Sequence, residues 1–119
     1  MKQAQLIRTL EAAAPEFARH DWLEEAVVFG VALTDDPVDS DVDVLLIARR
    51  TPSAREARDA TERLRPLLES RVRQPLALRI TTLHQLESPR GRNVGYGRHL
   101  RGQHLSVFRR AHGAQGRPN

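Results

Sequence analysis

Asp41 and Asp43, in the stretch VVFGVALTDDPVDSDVDVLLIA from Val27 to Ala48, are the residues whose type and spacing point most directly to chemistry. Side chains two apart on an extended strand project to the same face, so the two carboxylates would stand side by side at the edge of an apolar sheet. Like charges held that close repel unless something positive lies between them. A hard divalent cation with oxygen ligands, Mg²⁺ or Mn²⁺, is the usual occupant of such a pair. The same acids also suit a polar turn, because Asp35, Asp36, Pro37 and Asp39 already make the preceding residues turn-prone.

The elements that must position this pair can be read from apolar spacing. Leu6, Ile7, Leu10, Ala13, Ala14 and Phe17 recur at helical intervals and predict an amphipathic helix over residues 3–19, kinked or ended at Pro15. Glu25–Phe29 reads as a short strand stopped by Gly30. Val42–Ala48 reads as a second strand, apolar on both faces beyond Asp43 and therefore in need of cover. Trp22, Phe17 and Leu23, between the first helix and first strand, read as packing residues. In TPSARE, Thr51 before Pro52 offers one N-cap, and Ser53 with Glu56 has capping-box spacing. The helix that follows buries Ala57, Ala60, Leu64, Leu67, Leu68 and Val72, with a bend expected at Pro66. Leu76–Thr82 is the third strand, Leu83–Glu87 a short helical turn and His104–Arg109 the fourth strand. GRNVGYGRHLRG between them is a loop or weak helix, and residues 111–119 have too little apolar content to pack. The expected fold class is α/β (α+β): one domain over residues 1–110, with a mixed four-stranded sheet and helices packed on one face.

Composition narrows the functional classes. A chain of 119 residues supports one core. The absence of cysteine excludes disulfides and thiolate metal sites, and a cytoplasmic protein is the simplest reading. No apolar run approaches the roughly 20 residues that span a bilayer, so no membrane segment or signal peptide is expected. Eighteen Arg stand against a single Lys. Eight acids and no basic Lys or Arg lie between His20 and Ala48, whereas seven Arg and no acid lie from Ser88 to Asn119. The chain is thus polarised, acidic around the Asp pair and basic in its C-terminal third, a distribution that suits either a solvated face or nucleic-acid phosphates. Arg92, Tyr96, Arg98 and Arg101 combine charge with one stacking ring, and Gly91, Gly95 and Gly97 suit a flexible loop better than a phosphate cradle. The five histidines show no zinc spacing.

The order helix, strand, Gly turn, strand opening on Asp-x-Asp, helix, strand resembles the minimal nucleotidyltransferase family of the DNA polymerase β superfamily, over residues 20–109. Phe29-Gly30-Val31, nine residues, then Asp41-Val42-Asp43 correspond in spacing to that family's first-strand Gly-Ser and its Asp-x-Asp, and Ser40 before the pair is also typical. ITTLHQLE resembles the segment after its third catalytic strand. The resemblance implies that Asp41 and Asp43 ligate Mg²⁺ or Mn²⁺, and that Gly30, position 31 and Ser40 lie against the triphosphate of a nucleoside triphosphate, most readily ATP. It further implies transfer of a nucleoside monophosphate to a protein or nucleic-acid acceptor, with release of pyrophosphate.

Two positions depart from the family pattern. Val31 replaces the family's serine and can neither donate nor accept a hydrogen bond. Arg79 occupies the position expected to carry a third acid, and no Asp or Glu lies between Glu69 and Glu87. One consequence is a site of reduced activity. Another is that the Arg79 guanidinium neutralises the Asp pair in place of metal, leaving a catalytically inactive binding module, such as the antitoxin-like partner of a helical protein. A third expectation is a nucleic-acid-binding protein that uses the basic C-terminal third.

Overall fold

The computed structural model describes residues 3–29, 42–87 and 104–111. Helix α1 (Gln3–Glu11) and helix α2 (Ala14–Ala18) replace the single helix expected over 3–19. The break falls at Ala12 and Ala13, ahead of Pro15, and Pro15 lies in the first turn of α2, where its missing N–H removes no helical bond. Strand β1 (Leu23–Phe29) starts two residues before the expected Glu25. Its register with strand β2 (Val42–Ala48) passes from Leu23↔Ala48 to Glu25↔Ile47, so Glu24 is the extra residue of a bulge.

Helix α3 (Ala54–Val72) is capped by Ser53, not Thr51. The Ser53 hydroxyl accepts from the Glu56 N–H at 3.0 Å, and a Glu56 carboxylate oxygen accepts from the Ser53 N–H at 2.9 Å, satisfying two donors that open a helix. The helix runs through Pro66 as one element, with the proline on its exposed side. It ends at Arg73, which holds the left-handed conformation at φ 60°. Strand β3 (Leu76–Thr82), helix α4 (Leu83–Glu87) and strand β4 (His104–Arg109) have the bounds the sequence predicts.

The four strands form one mixed sheet in the order β3-β2-β1-β4. β1 is antiparallel to both β2 and β4, while β2 and β3 are parallel and joined by the α3 crossover. Leu6 and Leu10 of α1, Phe17 of α2, and Leu64 and Leu68 of α3 pack with Ala26, Val28, Val44 and Leu46 on one face of the sheet. The other face carries a smaller cluster of Val27, Leu45 and Ile47, against which Leu86 of α4 packs.

Trp22 and Leu23 are buried as expected. Arg110 closes the junction beside them: its Nε donates to the Leu23 carbonyl at 2.8 Å, and its guanidinium reaches the His20 and Ala18 carbonyls at 2.8 and 3.2 Å. The same guanidinium lies 5.6 Å from the Phe108 ring centre, and that ring stacks with Phe17. Among the described residues no helix is long and apolar enough to cross a membrane. The expected GRNVGYGRHLRG loop, apart from the first strand residue beyond it, and the tail after Ala111 lie outside the described residues.

Candidate functional site

Asp43 stands at the second position of β2, and three neighbours fix that position. The Val42 N–H donates to the Pro75 carbonyl at 2.9 Å, tying the opening of β2 to the residue that precedes β3. Phe29 on β1 and Ala77 on β3 flank Asp43 in register. Alternation along the strand does the rest. Val42, Val44, Leu46 and Ala48 join the helix-covered core, so Asp43 falls with Leu45 and Ile47 on the opposite face. There it is half-buried.

Arg79 lies on that same face. Leu76, Leu78 and Ile80 of β3 turn into the helix-covered core, leaving Ala77, Arg79 and Thr81 for the other side. In register Arg79 pairs with Leu45, one step along the face from the Ala77 and Asp43 pair. Diagonal neighbours in a sheet are separated by roughly 7–8 Å, within reach of a long side chain. Arg79 is nevertheless exposed, and among the described residues no ion pair joins it to Asp43. Alternation along β3 thus sets Arg79 on the sheet face of Asp43. Asp41, Ser40, Gly30 and Val31 lie outside the described residues.

The donor set bears on which metal chemistry fits. Among the described residues there is no group of three or more His, Cys, Asp or Glu arranged to hold a metal ion. β3 adds an exposed guanidinium on the Asp43 face rather than a carboxylate. Carboxylates such as those of Asp43 and Asp41, two residues before it, suit a hard cation that keeps several of its waters, the usual state of protein-bound Mg²⁺.

At the opposite end of β2 one arginine bridges two acids. Arg50 donates to both carboxylate oxygens of Glu56, at 3.0 and 2.9 Å, and to Asp21 at 2.9 Å. Those bonds, led by the one to Arg50, pull the Glu56 carboxyl down to about 2, and the same contacts raise the Arg50 guanidinium above its usual range. The group is exposed and links the N-terminus of α3 to the ends of two strands. His20 is buried beside Trp22, and burial pushes its pKa below the ordinary histidine value.

Two grooves were not legible in the sequence. One lies between α1 and the end of α3, lined by Gln5, Thr9, Arg71, Val72, Arg73 and Gln74. Its only sequence signal is the run Arg71-Val72-Arg73-Gln74, which contains no acid. The other is lined by Glu24, Glu25, Leu83 and Arg109 to Ala111, where Arg109 pairs with Glu25 at 3.3 Å. The chain matches no model of a known protein family, and no curated protein is significantly similar to it.

Proposed function

We propose that the acidic face around Asp41 and Asp43 is a nucleotidyltransferase-like site that binds a nucleoside triphosphate, ATP foremost, together with Mg²⁺ or Mn²⁺. The observation that carries this is the placement of Asp43: second residue of a central strand, beside a parallel neighbour, on the face away from helices α1 to α3. A strand opening of this kind lets carboxylates meet a phosphate-bound cation without crossing the helical layer. The metal, when bound, supplies charge neutralisation for the phosphates and lowers the pKa of an attacking hydroxyl. The chain's contribution is to hold and orient the triphosphate, so that slow transfer of a nucleoside monophosphate to a protein or nucleic-acid acceptor is the expected reaction.

Arg79 favours a second reading. An exposed guanidinium on the Asp43 face, where a third acid would stand, removes a proton acceptor and adds a cation. A catalytically inactive module that presents this face to a helical protein partner follows from that exchange. Calorimetric titration of Mg²⁺, Mn²⁺ and ATP separates the two, with the Asp41→Asn, Asp43→Asn double variant as control. Heat lost in the variant, with pyrophosphate release from the wild type, supports the transferase. Binding without turnover supports the inactive module, and no binding at millimolar metal removes the nucleotide site altogether.

The basic C-terminal third offers less free charge than its composition suggests. Arg109 is paired with Glu25 and Arg110 is committed to backbone carbonyls, while its other five arginines lie outside the described residues.

A further inference from the structure

Place in the fold separates Arg79 from the other exposed arginines of the described residues. Those of α1, α2 and α3 belong to the helical layer, and Arg49 and Arg50 follow the far end of β2. On the opposite sheet face Arg109 is paired with Glu25 at 3.3 Å. Among the described residues, Arg79 is therefore the guanidinium on the Asp43 face that has no ion pair.

Its neighbours on that face are specific. Asp43 pairs in register with Ala77, and the next pair on the same face is Leu45 with Arg79. The diagonal from Asp43 to Arg79 is thus one step of a sheet, roughly 7–8 Å between backbones. Ala77, beside that diagonal, contributes a single methyl group from β3, and the half-buried carboxylate and exposed guanidinium are left with no larger β3 side chain between them. The two ends of the diagonal make opposite demands. A carboxylate favours a hard cation, whereas a guanidinium has only donors, cannot ligate a metal and favours phosphate oxygens.

One class of ligand meets both demands at once: linked phosphates that carry a divalent cation. A cation on the Asp43 side and the Arg79 guanidinium repel each other, and separate phosphates give each its own oxygens. A lone phosphate must serve both from one phosphorus. From this juxtaposition we infer that Arg79 binds the phosphate next to the metal-bound one and so selects a nucleoside di- or triphosphate over a monophosphate. The inference rests on the reading of the Asp43 face as a nucleotide site, and it holds whether or not the bound nucleotide is turned over.

Calorimetry at saturating Mg²⁺ tests it, with ATP, ADP, AMP and inorganic tripolyphosphate as probes against wild type, Arg79→Gln and Arg79→Lys. Wild type is expected to bind ATP and ADP at least about tenfold tighter than AMP, the value of one charge-assisted hydrogen bond, and tripolyphosphate should displace ATP. Arg79→Gln should lower ATP affinity about tenfold while changing AMP affinity less than about twofold, and Arg79→Lys, which keeps the charge but not the fork, should fall between. Mn²⁺ alone, followed by the electron paramagnetic resonance of the free ion, should bind Arg79→Gln at least as well as wild type, because a like charge has been removed. Absence of ATP binding by the wild type overturns the nucleotide reading and this inference with it. Wild-type binding that Arg79→Gln leaves unchanged, strengthens, or weakens equally for ATP and AMP overturns the inference alone, as does tripolyphosphate that fails to compete. Should a variant fail to melt cooperatively, the wild-type order decides: equal affinity for ATP and AMP overturns the role of Arg79.

Discussion

The two faces of the sheet differ in what they ask of their residues. The face under α1, α2 and α3 is filled by leucines, valines, Phe17 and Trp22, each within a few per cent of complete burial. The face opposite has a three-residue apolar patch, Val27, Leu45 and Ile47, and sets Asp43, Arg79 and Glu25 around it. One strand, β2, serves both by alternation. Stability is thus concentrated on one side, and the other is left free to carry charge, as expected of a face that meets a polar ligand.

Substitutions should divide along the same line. Leu46→Ala on the helix-covered face should cost about 2–5 kcal/mol in denaturant unfolding, from lost burial and the cavity left behind. A cost near zero would break the contrast at its strongest point. Arg110→Ala comes next, at about 2 kcal/mol, because three backbone carbonyls at the α2–β1 junction lose a charged donor. Ser53→Ala should cost about 1 kcal/mol through the lost cap.

The Glu56 carboxyl, held at about 2, contributes stability that is complete above its ordinary 4.5 and fades as pH falls toward the lowered value. A melt series from neutral to strongly acid pH in wild type and Glu56→Gln should converge at the acid end. Neutral His20 adds a milder trend in the same direction. Its folded pKa lies below 6.5, so its contribution is complete above that value and is lost as pH falls beneath it, when the unfolded chain takes up a proton more readily. His20→Gln should flatten the melting midpoint between about pH 7 and 5.

The smallest effects belong to the charged face. Arg79→Gln should change the unfolding free energy by less than about 0.5 kcal/mol. Asp43→Asn should weaken nucleotide binding severely in calorimetry. A large loss of stability from Arg79→Gln would mean that this face, too, is structural.

Most strand positions were legible because apolar runs bounded by Gly, Pro or Asp mark them, and β2, β3 and β4 have the expected bounds. β1 starts before the expected Glu25 because the bulge at Glu24 interrupts the two-residue alternation that signals a strand. The α1–α2 break lies ahead of the expected Pro15 because a proline that ends one helix can also open the next, as it does here. Of the candidate site, the position of Asp43 and the face it occupies follow from alternation. That Arg79 shares the face needed the parallel register of β2 and β3, which no local pattern encodes. The Arg71, Arg73 and Gln74 groove depends on a left-handed residue and on a helix some sixty residues earlier in the chain, and neither leaves a trace in local spacing.

The contacts made by β4 also govern when this molecule can become itself. Glu25 pairs with Arg109 across 84 residues, and Arg110 reaches carbonyls 87 to 92 residues earlier. A chain emerging from a ribosome can form the β1–β2 hairpin and the α3 crossover early. Until residues 104–110 follow, one side of β1 stays an open row of unmet amides and carbonyls. The nascent protein is thus exposed to mispairing for most of its synthesis, and a single late strand with its arginine ends that period.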